Sequence, residues 1–140
     1  MAQQVDFYLL SKPGSAAREQ FACRLINKVY RLGEQVHVEI DNATALQAFD
    51  EMLWTFSDDS FVPHTCLPDD DTRTPVTLGL AGQPALAQPT VYVNLTSAAL
   101  TNAQCRIAEI VPAEPDQKAL GRQRYAAYRD RGCDIATHNL

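Results

Sequence analysis

Apolar residues recur along the chain in two spacings, one typical of strands and one typical of helices. Residues 6–10 are mostly apolar and residues 36–40 alternate, so both segments are predicted to be strands. Residues 76–80, 90–95 and 107–111 have the same short apolar character and predict three more strands. Strands in these places, with helices between them, indicate an α/β fold: a three-layer, Rossmann-like arrangement around a mostly parallel sheet of about five strands.

Three helices are predicted from apolar positions that recur every three or four residues. Ser15 is placed to cap the first helix, and Gly33 is placed to end it. The second helix follows Asn42, a residue type that commonly caps helices, and the third runs from about residue 116 to 131. Residues 1–140 are predicted to form a single domain, because two domains of half this length would each have a poor core.

Composition and charge narrow the class of protein. Hydrophobic residues make up 46% of the chain and charged residues 21%, which is ordinary for a soluble globular protein. Twelve basic and seventeen acidic residues give a net charge of −5, which disfavours the wrapping of duplex DNA. No stretch approaches the ~20 apolar residues that span a bilayer, and the first ten residues lack a secretory signal. We therefore expect a cytoplasmic protein whose four cysteines are reduced.

Patterns that indicate catalysis or metal binding are sparse. The six glycines form no dinucleotide-binding or P-loop motif, and the turn at residues 13–15 is most simply an ordinary strand-to-helix turn. His64 and Cys66 stand two residues apart, but a zinc site needs about four ligands and a nucleophile needs an orienting partner. The acidic residues within 58–71 are predicted to form a hydrated loop. No catalytic residue, metal ligand or cofactor is predicted, which favours a non-catalytic protein. A nucleotide-binding or hydrolytic enzyme on the same fold is the alternative.

The strongest functional signal is the charge of the third helix. Residues 117–133 contain five basic residues and one acidic residue, a local charge of +4 in a chain of net charge −5. Helical spacing places four residues in one narrow stripe: Lys118, Arg122, Tyr125 and Arg129. This stripe suits a small anionic, partly apolar partner, because arginine pairs with carboxylates and tyrosine can line an apolar pocket. The alternative is a solvated face whose arginines favour the helix dipole.

A second signal is a group of large apolar residues near the end of the second helix. The group comprises Trp54, Phe56 and the run Phe61-Val62-Pro63-His64. Aromatic residues beside a polar rim are typical anchors of protein interfaces, and they also cover the ends of hydrophobic cores. The pattern alone leaves both roles open.

Several runs, in this order and spacing, resemble the chi subunit family of bacterial DNA polymerase III. They are Phe7-Tyr8-Leu9-Leu10, Leu53-Trp54 with Phe61-Val62-Pro63-His64, Val111-Pro112, and Arg122-Gln123-Arg124-Tyr125-Ala126-Ala127-Tyr128-Arg129. The resemblance implies a Rossmann-like fold without a nucleotide site, and an adaptor with no catalysis of its own inside a DNA-directed DNA polymerase holoenzyme. It also implies partners: the psi subunit, which joins chi proteins to the clamp loader, and the acidic C-terminal tail of single-stranded DNA-binding protein, which ends in proline and phenylalanine. Some members bind a helicase in place of psi.

The resemblance also assigns residues to the two surfaces. The tail site would use Lys118, Arg122, Tyr125 and Val111. The psi surface would use Phe61, Val62, Pro63 and His64, and Trp54 would belong to either surface. One departure is Ala126, which stands where the family pattern has a basic residue, and we expect Arg129, one turn further on, to replace part of that charge.

Overall fold

The computed structural model describes residues 3–13, 15–56, 62–66, 75–83, 89–101 and 103–140. Its elements, in chain order, are β1 (Gln4–Leu9), α1 (Ser15–Arg31), β2 (Val36–Ile40), α2 (Ala43–Thr55), β3 (His64–Cys66), β4 (Val76–Leu80), β5 (Val91–Leu95), β6 (Arg106–Val111), α3 (Pro115–Asp130) and β7 (Asp134–Asn139). All the predicted helices and strands are present, with ends that differ by at most two residues. Asn42 caps α2 as predicted, since its side chain accepts a hydrogen bond from the Ala45 N–H at 2.9 Å.

The strands form one parallel sheet in the order β3-β4-β2-β5-β6-β1-β7. The fold class is confirmed, and the sheet of seven strands has two more than the sequence pattern indicated. The additional strands, β3 and β7, lie at the two edges of the sheet. They are short or polar because an edge strand is only partly buried, so neither contains the apolar run that identifies the inner strands.

Alternate residues of β1 pack on opposite faces of the sheet. The Tyr8 ring lies 5.2 Å from that of Phe21 in α1, and the Phe7 ring lies 5.4 Å from that of Tyr125 in α3. Because successive side chains of a strand point to opposite faces, α1 and α3 cover different faces of the sheet. Helix α2 contacts α1 and contributes to the same core cluster, which leaves α3 as the helix of the other face.

A buried polar network attaches α3 to the sheet. The carboxylate of Glu109 in β6 is 0% exposed and accepts hydrogen bonds from Arg124 Nε at 2.8 Å, the Tyr128 hydroxyl at 2.5 Å and Asn94 Nδ2 at 2.6 Å. The Tyr128 hydroxyl also accepts the Leu100 N–H at 2.9 Å. Burial raises the pKa of the Glu109 carboxyl, and the three donors limit that rise. Since both Arg124 and Tyr128 must reach Glu109, the network fixes the rotation of α3 about its axis.

A second buried carboxylate joins the neighbouring strands β6, β1 and β7. Asp6 of β1 lies 2.5 Å from Arg106 Nε of β6 and 3.0 Å from His138 Nε2 of β7. Burial opposes ionisation of Asp6, but Arg106 and His138 outweigh it and hold the pKa of Asp6 below its usual value. These contacts secure β7 to β1 beyond the hydrogen bonds of the sheet.

His37 is a third buried polar group, on the inner strand β2. Its Nδ1 atom lies 2.6 Å from Thr77 Oγ1, and its ring packs edge-on against Tyr92. Burial lowers the pKa of His37 from 6.5 to about 4, because the charged ring would be poorly solvated there.

We predict that the folded state loses stability as the pH falls from about 6.5 to about 4, since the unfolded chain binds a proton on His37 that the folded chain does not. The full effect is about 3 kcal/mol. Urea unfolding of the wild type and His37→Gln, each at about pH 7.5 and about pH 4.5, measures it. The wild type should lose more stability than the variant over this interval, and equal losses would contradict a neutral buried His37.

The Glu109 network makes a separate prediction. Tyr128→Phe should lower the free energy of unfolding by about 1–3 kcal/mol, because Glu109 loses a donor and the buried Leu100 N–H loses its acceptor. Tyr125→Phe, on the exposed side of the same helix, is the matched control and should change little. The measurement is the denaturation midpoint. The same midpoint for both variants would contradict a contribution of this network to the free energy of unfolding.

Candidate functional site

A hollow of about 370 Å³ lies between α3 and the carboxyl ends of β1 and β6. Its floor is apolar and consists of Phe7, Leu9, Leu10, Val111 and Pro112. One wall is formed by α3, with Lys118, Gly121, Arg122 and Tyr125, and Thr137 of β7 completes the lining. The volume lies in the range of sites that hold small ligands, and the lining combines apolar surface with two cations.

Close packing between α3 and β6 sets the depth of the hollow. Pro115 begins α3, a position where its missing N–H is not needed and its fixed φ suits the helix. At Gly121 an added Cβ atom would lie 3.0 Å from Val111 Cγ2. Glycine therefore allows the helix to approach the strand so closely that Val111 becomes part of the floor.

The cationic stripe is exposed along the side of α3 that faces β7. Lys118 and Arg122 are exposed at the hollow, and Tyr125 is 38% exposed with its ring against Phe7. Arg129 is exposed but lies outside the lining of the hollow, and its guanidinium is 3.6 Å from Asp130 Oδ1. The structure thus places Lys118, Arg122, Tyr125 and Val111 around one hollow and Arg129 beyond it.

Two basic residues of the helix segment are engaged elsewhere. Arg124 is only 4% exposed and pairs with Glu109. Arg131 donates a hydrogen bond to the Leu100 carbonyl at 2.7 Å, and its guanidinium lies 4.8 Å from the centre of the Tyr128 ring. The net charge of the segment therefore overstates the charge at the surface, and Lys118 and Arg122 are the cations that line the hollow.

Sequence reasoning did not assign several lining residues to the site. Phe7, Leu9, Leu10 and Pro112 belong to the runs that resemble the chi family, and their apolar character was the available signal. Gly121 and Thr137 could not be assigned to the site from the sequence. Gly121 acts through its missing side chain, and Thr137 lies on the edge strand β7, which the apolar pattern did not predict.

Trp54 and His64 form a second surface feature, on the side of the sheet near β3. Their ring centres are 4.1 Å apart, and Trp54 is 42% exposed. Both ring nitrogens of His64 face acceptors at 2.7 Å, the Val62 carbonyl and Asp50 Oδ1, which fixes the ring beneath Trp54. We call Trp54, Pro63 and the underlying His64 the tryptophan surface.

The residues expected at the psi surface differ in their exposure. Val62 is fully buried in the core and His64 is 8% exposed, so both support the surface from below. Pro63 is half-buried, and Phe61 lies outside the described residues. Trp54 lies beside His64 and is not among the residues that line the hollow.

The other chemical candidates give no assembled site in the described part of the chain. No three His, Cys, Asp or Glu side chains there are grouped as a metal site requires, and His64 is held by Asp50. All four cysteines are free, and burial raises the pKa of the Cys23 thiol to about 12. Gly14 of the first turn and the acidic residues of segment 58–71 lie outside the described residues. Within the described ranges, no helix combines the length and apolar character needed to cross a membrane.

Comparison with known proteins shows the family. The family model "DNA polymerase III chi subunit, HolC" matches residues 1–136. DNA polymerase III subunit chi of Pseudomonas aeruginosa is 34% identical over 139 residues, which cover 98% of this chain and 96% of that protein. The proteins of the same name from Escherichia coli and Haemophilus influenzae are 30% and 27% identical, over 96% and 100% of this chain and 97% and 99% of their own lengths. The chain therefore belongs to the chi subunit family of DNA polymerase III, a component of a polymerase complex.

Proposed function

We propose that this protein is a non-catalytic adaptor of the replisome. It would link the clamp-loader complex, through psi, to the acidic C-terminal tail of single-stranded DNA-binding protein. The observation that supports this proposal is the hollow, which combines an apolar floor with Lys118 and Arg122. A chain end with an apolar last side chain and a free carboxylate needs both features at one place.

In this proposal the last side chain of the tail lies on the floor, between Val111 and Tyr125. The carboxylate at the end of the tail's main chain pairs with Lys118 and Arg122, which are exposed at the same hollow. A charge-assisted hydrogen bond contributes ~1.5–3 kcal/mol, and burial of a phenylalanine contributes a similar ~1.5–3 kcal/mol. After the costs of association, these few contacts limit the affinity to the micromolar class, which corresponds to a binding free energy of at most about 8 kcal/mol.

The upstream acidic residues of the tail would lie further along the stripe, towards Arg129. Ala126 is half-buried and provides no charge there, so Arg129 is the cation that follows Tyr125 on the exposed side. Arg129 is largely exposed, so an ion pair between it and the tail contributes little binding free energy and is weakened further by salt.

The tryptophan surface is proposed to bind psi, or a helicase that competes with psi. A half-exposed tryptophan on a fixed support is the kind of residue that anchors an interface. It lies near β3, whereas the hollow reaches β7, and these are opposite edges of the sheet. Six strand spacings of about 4.8 Å separate the edges by about 29 Å, so two partners can bind at once.

The tail site is tested with a synthetic acidic peptide that ends in proline and phenylalanine. Arg122→Ala should weaken binding by about ten- to a hundredfold, because it removes a charge-assisted hydrogen bond to the carboxylate. Arg129→Ala removes the same charge from the same helix outside the hollow, and we expect a much smaller change. Calorimetry at low and high salt measures both, and an amidated peptide tests the role of the free carboxylate. Equal affinities of wild type and Arg122→Ala would refute the site.

Pairing with psi is tested by co-purification. Trp54→Ala should reduce the recovery of psi, because it removes the largest exposed apolar contact of the tryptophan surface. Leu32→Ala is the matched control, since Leu32 is 68% exposed and lies at the end of α1. Affinity for the tail peptide should be the same in both variants. Undiminished recovery of psi with Trp54→Ala would remove this surface from the interface.

A further inference from the structure

The outer edge of β7 pairs with no other strand in the described part of the chain. The strand is largely exposed over Asp134–Asn139, with no proline or lysine to block a further strand. The N–H of Asp134 donates to the Gln3 carbonyl and that of Leu140 to the Leu9 carbonyl, so even-numbered residues bond inwards to β1. Because backbone groups alternate in direction along a strand, the N–H and C=O groups of residues 135, 137 and 139 point outwards.

This free edge lies beside the hollow and beneath the cationic stripe. Thr137 belongs to both features, since its side chain lines the hollow and its backbone belongs to the outer edge. Helix α3 runs from the carboxyl end of the sheet to the amino end, so its stripe follows β7 along its length. Lys118 and Arg122 lie at the carboxyl end of β7, and Arg129 lies at its amino end.

We propose that the acidic tail binds as an added strand on the outer edge of β7, parallel to it, with its terminal residue in the hollow. The inference rests on the proposed function and specifies how the same site takes its partner. The parallel direction follows from the position of the hollow: with the chain end at Thr137, only a parallel segment runs back along Ile135 and Asp134. An extended segment there meets unpaired backbone groups on one side and the cations of α3 on the other.

The charges along this path are mixed at the amino end of β7. Arg129 is paired with Asp130, and Asp134 begins β7 at the same end. Lys118 and Arg122 at the carboxyl end face no acidic residue of the hollow's lining. Carboxylates on the segment are therefore attracted chiefly towards the hollow. Backbone pairing supplies the attraction along β7 itself, as it does when peptides add to exposed sheet edges.

The test is a backbone scan of the synthetic acidic peptide that ends in proline and phenylalanine. Each residue upstream of the proline is N-methylated, one at a time, and its affinity for the full chain is measured by calorimetry. In a parallel ladder alternate residues donate to the neighbouring strand, so methylation should weaken binding about three- to tenfold at every second residue and little at those between.

Variants of the chain provide the reciprocal test. Thr137→Pro removes an outward N–H that the ladder with β1 does not use, so the fold should be retained while affinity falls about three- to tenfold. Thr137→Val keeps the N–H and the shape of the side chain at the hollow, so it is the matched control, and the loss of affinity in Thr137→Pro is measured relative to it. Thermal unfolding of both variants confirms that β7 is still in place.

The outcomes separate the two proposals. A peptide that binds and is weakened by Arg122→Ala, yet gives a flat methylation scan, overturns the added strand and leaves the proposed function standing. A peptide that does not bind at all overturns both. Sedimentation of the chain without peptide tests a second copy as the occupant, and a dimer that Thr137→Pro dissociates would assign the edge to that copy and overturn the inference.

Discussion

Glu109 places a carboxylate on the inner strand β6, out of contact with solvent, and the geometry of α3 depends on the hydrogen bonds that this carboxylate accepts. Arg124 and Tyr128 lie on one side of α3, and both reach this carboxylate. On a helix with 100° per residue, the exposed stripe lies roughly 110° away from that side. The buried contact therefore turns Lys118, Arg122 and Tyr125 towards β7, where the hollow opens. A buried carboxylate without such partners would be strongly destabilising, so this orientation has little freedom.

The hollow also requires that α3 approach β6 closely, and this approach depends on the missing side chain of Gly121. Gly121 allows α3 to pack against Val111, so the helix and the strand share one apolar floor. The cations then stand at the rim of an apolar cavity. A carboxylate bound there is partly shielded from water, which strengthens its pairing with Arg122 relative to the same pair on an open surface. The hollow therefore combines apolar surface and positive charge in one small volume.

The parallel sheet keeps the two proposed binding surfaces apart. Its inner strands are buried on both faces, so the surface available to partners lies on the helices and at the sheet edges. Trp54 lies near β3, with its ring supported by His64, while the hollow reaches β7 at the other edge. Such separation suits an adaptor, because a rigid sheet can hold two partners without direct contact between them.

The amino-acid sequence by itself determined the helices, the inner strands and the cationic stripe. These features are encoded locally: apolar spacing defines a helix or a buried strand, Asn42 caps α2, and helical periodicity aligns Lys118, Arg122 and Tyr125. The resemblance of local runs to the chi family added Val111 to the same site. The family comparisons confirm the family itself over nearly the whole chain.

Only the tertiary structure decided the edge strands, the burial of Arg124 and the enclosure of the hollow. β3 and β7 have no strong apolar pattern, because their place in the sheet comes from pairing with β4 and β1. Arg124 has the same chemistry as Arg122, and its burial depends on Glu109, fifteen positions earlier in the chain. The hollow is lined by the end of β1 near the start of the chain and by β6, α3 and β7 near its end. Contacts between distant segments have no local signature, since their energy exists only when the folded chain brings them together.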